Sequence, residues 1–219
     1  VTYSAVDVTD DNLPFPQTGS TTYSNSTAPG CQGTQTPAPG FLVPTYASGF
    51  LSQGGVFGDV NFGCGVAGTY GLAWDSAGNL YAGDQVDGNL YKIPPGGGVA
   101  NSSTKVAHIA QALSGLVFDK KGNLFGSIMT TPSGFNTGNV VRIDPNTGAV
   151  LQTVASGLTC PEALSVDPIS GDLFTDDACV GSGSDNPSLW RISNPASANP
   201  VVSAVSYTHL RAHETGRNI

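Results

Sequence analysis

Hydrophobic and polar positions alternate in short runs along most of this chain. Each run is closed by a turn rich in Asp, Gly and Asn, a period of two that predicts half-buried strands joined by hairpins. The run GLAWDSAGNLYAGD at 71–84 returns as GLVFDKKGNLFGS at 115–127 and, more loosely, as ALSVDPISGDLFTDD at 163–177. In each copy an apolar segment (Leu72 to Trp74, Leu116 to Phe118, Leu164 to Val166) runs into a tight turn holding Gly78, Gly122 or Gly171, and a second strand answers it. A third strand follows as GNLYKI (88–93), GNVVRI (138–143) and SLWRI (188–192), with Lys92, Arg142 and Arg191 at equivalent positions. An outer strand is expected at TYASGF (45–50), VAHIAQAL (106–113) and LQTVASGL (151–158), each just before the next inner strand.

The turn aspartates Asp75, Asp119 and Asp167 stand 44 and 48 residues apart. Repeats of that length with four antiparallel strands each predict propeller blades, because a lone four-stranded sheet cannot bury both of its faces whereas stacked sheets can. The expected fold is therefore all-β: a β-propeller of four-stranded antiparallel blades, with about three blades present and the ring incomplete. The blades occupy residues 45–204. Residues 1–44, rich in Thr, Ser, Pro and Gly, carry no further copy and are read as a leader or linker, the edge of an upstream domain, or an irregular blade segment.

Composition agrees with this picture and narrows the partners. Gly (29) and Pro (15) make about a fifth of the 219 residues, which suits many short strands and turns better than long helices. The net charge of −8 opposes nucleic-acid binding, which needs clustered Lys and Arg, and no apolar run is long enough to span a membrane as a helix. Four cysteines among few charges fit a secreted, periplasmic or cell-surface protein with paired thiols.

Folding the third hairpin about its turn, with Asp167 opposite Asp172, places Cys160 opposite Cys179 and Glu162 opposite Asp177. The first pair predicts a cross-strand disulfide, and Cys31–Cys64 follows by elimination. The second pair would hold two carboxylates about 5 Å apart, where they would take a cation or share a proton. The loop 175–188, with Asp176, Asp177 and Asp185, lacks EF-hand spacing and reads as a surface loop; His108 reads as structural; PPGGG at 94–98 reads as a turn between blades.

The phrase YGLAWDSAGNLYAGD with GNLYKIPPGGG and its two echoes resembles the six-bladed propellers of the gluconolactonase/regucalcin (senescence marker protein) family and the related NHL-repeat proteins. That resemblance covers about residues 45–200. It implies metal ligands where each inner strand enters the central channel, which here are Tyr70, Ser114 and Glu162. Of these, Glu162 alone is of the expected ligand type. Glu162 is thus the candidate catalytic group, and Glu162 with Asp177 the candidate site for Ca²⁺ or another divalent cation. Residues 205–215, VSYTHLRAHET, resemble the conceptual translation of a transposase sequencing adapter, so 205–219 is expected to be a non-native tail.

Three functions follow as expectations. The first is a secreted propeller that binds a protein, glycan or small molecule through its blade loops, with no chemistry of its own. The second is a divalent-metal-dependent lactone or ester hydrolase of gluconolactonase type. The third is a structural module of a larger surface protein.

Overall fold

The computed structural model describes residues 40, 44–51, 68–85, 87–110, 112–129, 138–177 and 189–205. They form strands β1 (Ala47–Ser48), β2 (Thr69–Trp74), β3 (Leu80–Asp84), β4 (Asn89–Ile93), β5 (Gly98–Val99), β6 (Lys105–His108) and β7 (Ala112–Phe118). The second half contributes β8 (Leu124–Met129), β9 (Gly138–Ile143), β10 (Val150–Leu158), β11 (Leu164–Val166), β12 (Leu173–Thr175), β13 (Trp190–Ser193) and β14 (Val201–Ala204).

Three four-stranded antiparallel sheets result, in the orders β2-β3-β4-β6, β7-β8-β9-β10 and β11-β12-β13-β14. Each is a blade whose strands follow one another in the chain, and the three form an open, propeller-like set. Blade 2 shows why one sheet needs neighbours on both sides. Leu124 and Ile128 on β8 enter a core shared with Ala73, Tyr81 and Leu90 of blade 1. Phe125, pointing to the opposite face, enters a core shared with Leu173 and Ile192 of blade 3. Lys92, Arg142 and Arg191 each pair with the aromatic residue of the preceding strand: Tyr81, Phe125 and Phe174.

The hairpin turns of blades 1 and 2 repeat bond for bond. Asp75 Oδ1 accepts from the amides of Ala77 and Asn79 at 2.9 and 2.8 Å, and Oδ2 from Asn79 Nδ2 at 2.8 Å. Asp119 does the same with Lys121, Asn123 and Asn123 Nδ2 at 2.8, 2.9 and 2.7 Å. The Asp side chain thereby closes the turn, which is why the aspartate recurs where the flanking residues vary.

The structure corrects the outer strands. Segment 45–50 supplies no blade strand: β1 pairs in parallel with β5, and Tyr46, Ala47 and Phe50 cover the outward face of blade 1 over Leu80, Tyr91 and Ile93. Tyr46 and Phe50 meet Trp74 and Tyr91 edge to face, with centroids 5.1 and 5.6 Å apart. PPGGG lies inside blade 1, between β4 and β6. Gly97 there has φ of +90° and its α-carbon lies against the Tyr46 carbonyl, so no side chain fits. The run 106–113 divides, its first part in β6 and its last residues in the next inner strand, β7. Every outer strand belongs to the blade it follows.

His108 fulfils its structural reading, its Nδ1–H donating to the Asp87 carbonyl at 2.8 Å. Cys160 is buried and disulfide-bonded, with a partner outside the described residues. Cys31, Cys64, Cys179 and Asp185 also lie outside them, as do the leader except Gly40 and Pro44 and the tail from 206 on. Among the described residues no helix is long and apolar enough to cross a membrane.

Candidate ligand-binding cleft at the inner strands

The inner strands β2, β7 and β11 lie side by side because small residues let their backbones approach. A side chain at Gly71 would meet the Ser114 carbonyl oxygen, and one at Gly115 would meet Leu164 Cβ at 2.7 Å and Ser127 Oγ at 2.8 Å. Each inner strand begins irregularly. The β2–β3 ladder shifts register between Thr69 and Gly71, and the β7–β8 ladder between Leu113 and Leu116. Regular β11–β12 pairing starts only at Leu164 opposite Thr175, in the register expected from the Asp167–Asp172 turn. Tyr70, Ser114 and Glu162 occupy these irregular starts, where a ladder releases side chains from strict alternation.

The backbone amides freed there are bonded by side chains from the second strand. Ser127 Oγ accepts from the Gly115 amide at 2.6 Å. At the equivalent position of blade 3, Asp176 Oδ1 accepts from the amides of Glu162 and Ala163 at 2.8 and 2.9 Å. Blade 1 has Gly83 at this place and can offer no such bond.

The inner strands frame a cleft of about 420 Å³, lined by Tyr70, Leu72, Leu116, Glu162, Leu164 and Asp176 together with the backbone at Gly71, Gly115 and Ala163. Tyr70 and Glu162 are thus brought together as the sequence places them. Ser114 is not on the cleft wall: it is fully buried and accepts from Gln85 Nε2 at 3.1 Å. Asp177 is drawn away as well. Its Oδ1 accepts from the Thr159 amide and its Oδ2 from Trp190 Nε1 at 3.2 Å. The carboxylate that faces Glu162 is Asp176, one residue earlier than the hairpin register places it, because regular pairing ends at Leu164–Thr175. The Ser127–Asp176 equivalence in the repeat alignment is the sequence signal that would have pointed to Asp176.

Burial, followed by the negative charge of Asp176, raises the Glu162 carboxyl above its ordinary range. Burial, then Glu162 and Asp176, likewise raises the Tyr70 phenol, which stays protonated. The cleft therefore presents two carboxylates and one hydroxyl against an apolar wall. Chemically it favours groups that donate hydrogen bonds or carry positive charge.

Its donors do not complete a hard-cation centre. Ca²⁺ takes six to eight oxygen ligands. Among the described residues no group of three His, Cys, Asp or Glu side chains gathers, and one Asp176 oxygen is committed to two amides.

No protein-family model matches this chain, and no curated protein matches it. Solved structures similar to it include the PQQ-bound aldose sugar dehydrogenase of Streptomyces coelicolor, at 13% identity over 58% of this chain and 45% of that one, with a TM-score of 0.44. A gluconolactonase of Xanthomonas campestris aligns at 15% identity over 63% and 47%, TM-score 0.43. A nidogen/laminin complex aligns at 20% over 62% and 48%, TM-score 0.44. The chain spans just under half the length of each, and the likeness concerns the course of the strands alone.

Proposed function

We propose that this chain is a secreted, propeller-like binding module whose ligand enters the cleft between the inner strands. The observation that carries the reading is the convergence of Tyr70, Glu162 and Asp176 on one apolar-walled opening. Few convergent polar groups on an apolar wall are the usual make-up of a small-ligand site. The lining polar groups are mostly acceptors, so the ligand class is a hydroxyl-rich or ammonium-bearing molecule, free or as a side chain of a protein partner. Neighbouring blade loops would extend the contact.

The experiment is a calorimetric and NMR screen of neutral oligosaccharides and primary amines against the whole chain, repeated with Tyr70→Ala and Glu162→Gln. Saturable binding that both variants weaken supports the reading. A ligand that binds both variants as well as the wild type would remove the cleft from the function.

Export is supported by the disulfide at Cys160, since such bonds persist in oxidising compartments. We assign its partner as Cys179, with Cys31–Cys64 as the second bridge. Non-reducing peptide mapping tests both, and the first would contribute about 3 kcal/mol by closing its loop.

A lactone or ester hydrolase remains the second reading, because Glu162 and Asp176 share the cleft. These residues do not fit a complete metal centre, so no hydrolytic step is derived through one. Tight Ca²⁺, Mn²⁺ or Zn²⁺ binding lost in Glu162→Gln would favour this reading over simple recognition.

A further inference from the structure

Three asparagines of the blades spend their side-chain amides inside turns. Asn79 Nδ2 donates to Asp75 Oδ2 at 2.8 Å, Asn123 Nδ2 to Asp119 Oδ2 at 2.7 Å, and Asn89 Nδ2 to Asp87 Oδ2 and the Tyr91 hydroxyl. Asn101 is different. It lies in the exposed turn that leads from β5 into β6, the outermost strand of blade 1, and its Nδ2 has no partner among the described residues.

Asn101 also opens the triplet Asn101-Ser102-Ser103, which has the acceptor pattern for N-linked glycan, Asn-x-Ser with no proline in the middle. Among the described residues no other asparagine opens such a triplet. Triplets of this kind arise by chance in Ser- and Thr-rich sequence, and here the geometry adds to the pattern. Asn101 Oδ1 accepts from the Ser103 amide at 2.8 Å and from the Ser103 hydroxyl at 2.7 Å. Both bonds draw charge toward Oδ1 and acidify the Nδ2 hydrogens, one of which must leave when that nitrogen forms a new bond. The contact spans only three residues, so it is open to the chain before folding as well as after it.

The folded chain has room for the product. Residues 101–103 are all exposed. Their turn is held by other atoms: the Asn101 amide donates to Thr104 Oγ1 at 2.9 Å, the Thr104 hydroxyl to the Val99 carbonyl at 2.9 Å, and the Lys105 amide to the Asn101 carbonyl at 3.0 Å. None of these bonds uses Nδ2.

We propose that Asn101 is an acceptor for an N-linked oligosaccharide, transferred from a lipid-pyrophosphate-linked donor by the transferase of an exporting membrane. Nδ2 attacks the anomeric carbon, the bond from that carbon to the pyrophosphate oxygen breaks, the lipid pyrophosphate leaves with the electron pair, and one Nδ2 proton passes to a base of the transferase. Nothing is oxidised or reduced. Oδ1 and one N–H remain on Asn101, so both bonds from Ser103 survive the modification. The glycan stands at the outer edge of blade 1, whereas Tyr70 and Glu162 belong to the inner-strand cleft. The proposal rests on the export reading given above.

The test translates the whole chain into glycosylation-competent microsomes behind a cleavable secretion signal, a readout that does not depend on folding. Asn25→Gln is the background, because it removes the triplet Asn25-Ser26-Thr27. Glycosidase-sensitive mobility and mass mapping of the tryptic peptide 93–105 should show a glycan on Asn101 in most molecules. Asn101→Gln and Ser103→Ala should each abolish it, and Ser103→Thr, which keeps the hydroxyl, should retain it. An unmodified 93–105 peptide overturns the proposal, as does a glycan that persists in Asn101→Gln or stands at equal occupancy in Ser103→Ala. The signal supplies export in this experiment, so a negative result strikes the acceptor site alone, whereas free thiols in the peptide mapping of Cys160 would strike the export reading alone.

Discussion

The amide of Glu162 donates to Asp176 Oδ1 at 2.8 Å, so the carboxylate that fixes the start of the third inner strand is also the charge that raises the Glu162 carboxyl. One group thus does two jobs that substitution can separate. Asp176→Asn keeps an oxygen acceptor and removes the charge. Glu162 should then titrate closer to its ordinary range in a carboxyl NMR titration, with stability little changed. Asp176→Ala removes both, leaves the Glu162 and Ala163 amides without their acceptor, and should cost about 1–2 kcal/mol in chemical denaturation.

The raised Glu162 carboxyl has a definite sign in a pH profile. Its folded pKa lies above the unfolded 4.5, so the folded state holds the proton more tightly. Below 4.5 both states are protonated and nothing is lost. Between 4.5 and the raised folded value stability falls as pH rises, and above it the full penalty stays. Glu162→Gln should abolish this fall and gain on the wild type at neutral pH, read as the difference between their melting temperatures at acidic and neutral pH. A variant that tracks the wild type across the range would show that Glu162 is not desolvated.

Much of the blade architecture was legible because every copy places an aspartate at its hairpin turn, and the first two close it in the same chemical way. Asp75 and Asp119 bond their turns identically, and the Asp167–Asp172 turn sets the register that β11 and β12 adopt. What stayed hidden depends on where regular pairing stops. Carrying that register past Leu164 puts Asp177 beside Glu162, but the irregular strand start brings Asp176 there and sends Asp177 to Thr159 and Trp190. The role of 45–50 was hidden for another reason. Tyr46 and Phe50 look like strand residues because they bury their rings, yet they do so as a cover over blade 1. Alternation reports burial, and a covering segment satisfies it as well as a blade strand does.

Arg191 and Asp172 make the opposite pH contribution to Glu162. Asp172 Oδ2 receives Arg191 Nη2 at 2.5 Å, Arg191 Nε at 2.7 Å and Ser193 Oγ at 3.2 Å, tying β13 to the turn before β12. The hydrogen bonds from Arg191 hold the Asp172 carboxyl below its ordinary 3.8, with burial opposing them. A lowered folded pKa gives stability that is present above the unfolded value and is lost as pH falls through the folded one. Arg191 is half exposed, so solvent screening keeps the gain small. Arg191→Lys, which gives up the two-pronged geometry, should cost about 0.5–1 kcal/mol at neutral pH and less in acid. An equal cost at both ends of the acid transition would mean that packing of the arginine stem, not its charge, is what matters.

The contact between blades 2 and 3 can be tested at one atom. A methyl group at Gly115 would stand 2.7 Å from Leu164 Cβ, 2.9 Å from the Leu164 amide nitrogen and 2.8 Å from Ser127 Oγ, so the two inner strands must separate to admit it. Gly115→Ala should cost about 1–3 kcal/mol, as overpacking does. Gly122→Ala is the control: nothing lies within 4 Å of its added carbon, but its φ of +84° strains any other residue. Both variants are destabilised, and the total alone does not separate them. Hydrogen exchange does, because the Gly115 methyl acts on the shared face and should speed exchange in β11 and β12, whereas strain at the Gly122 turn should act on β7 and β8. If Gly115→Ala leaves the amides of β11 and β12 as protected as in the wild type, blade 3 is held by its outer core around Leu173 and Ile192, and the close approach of the inner strands is not what joins the blades.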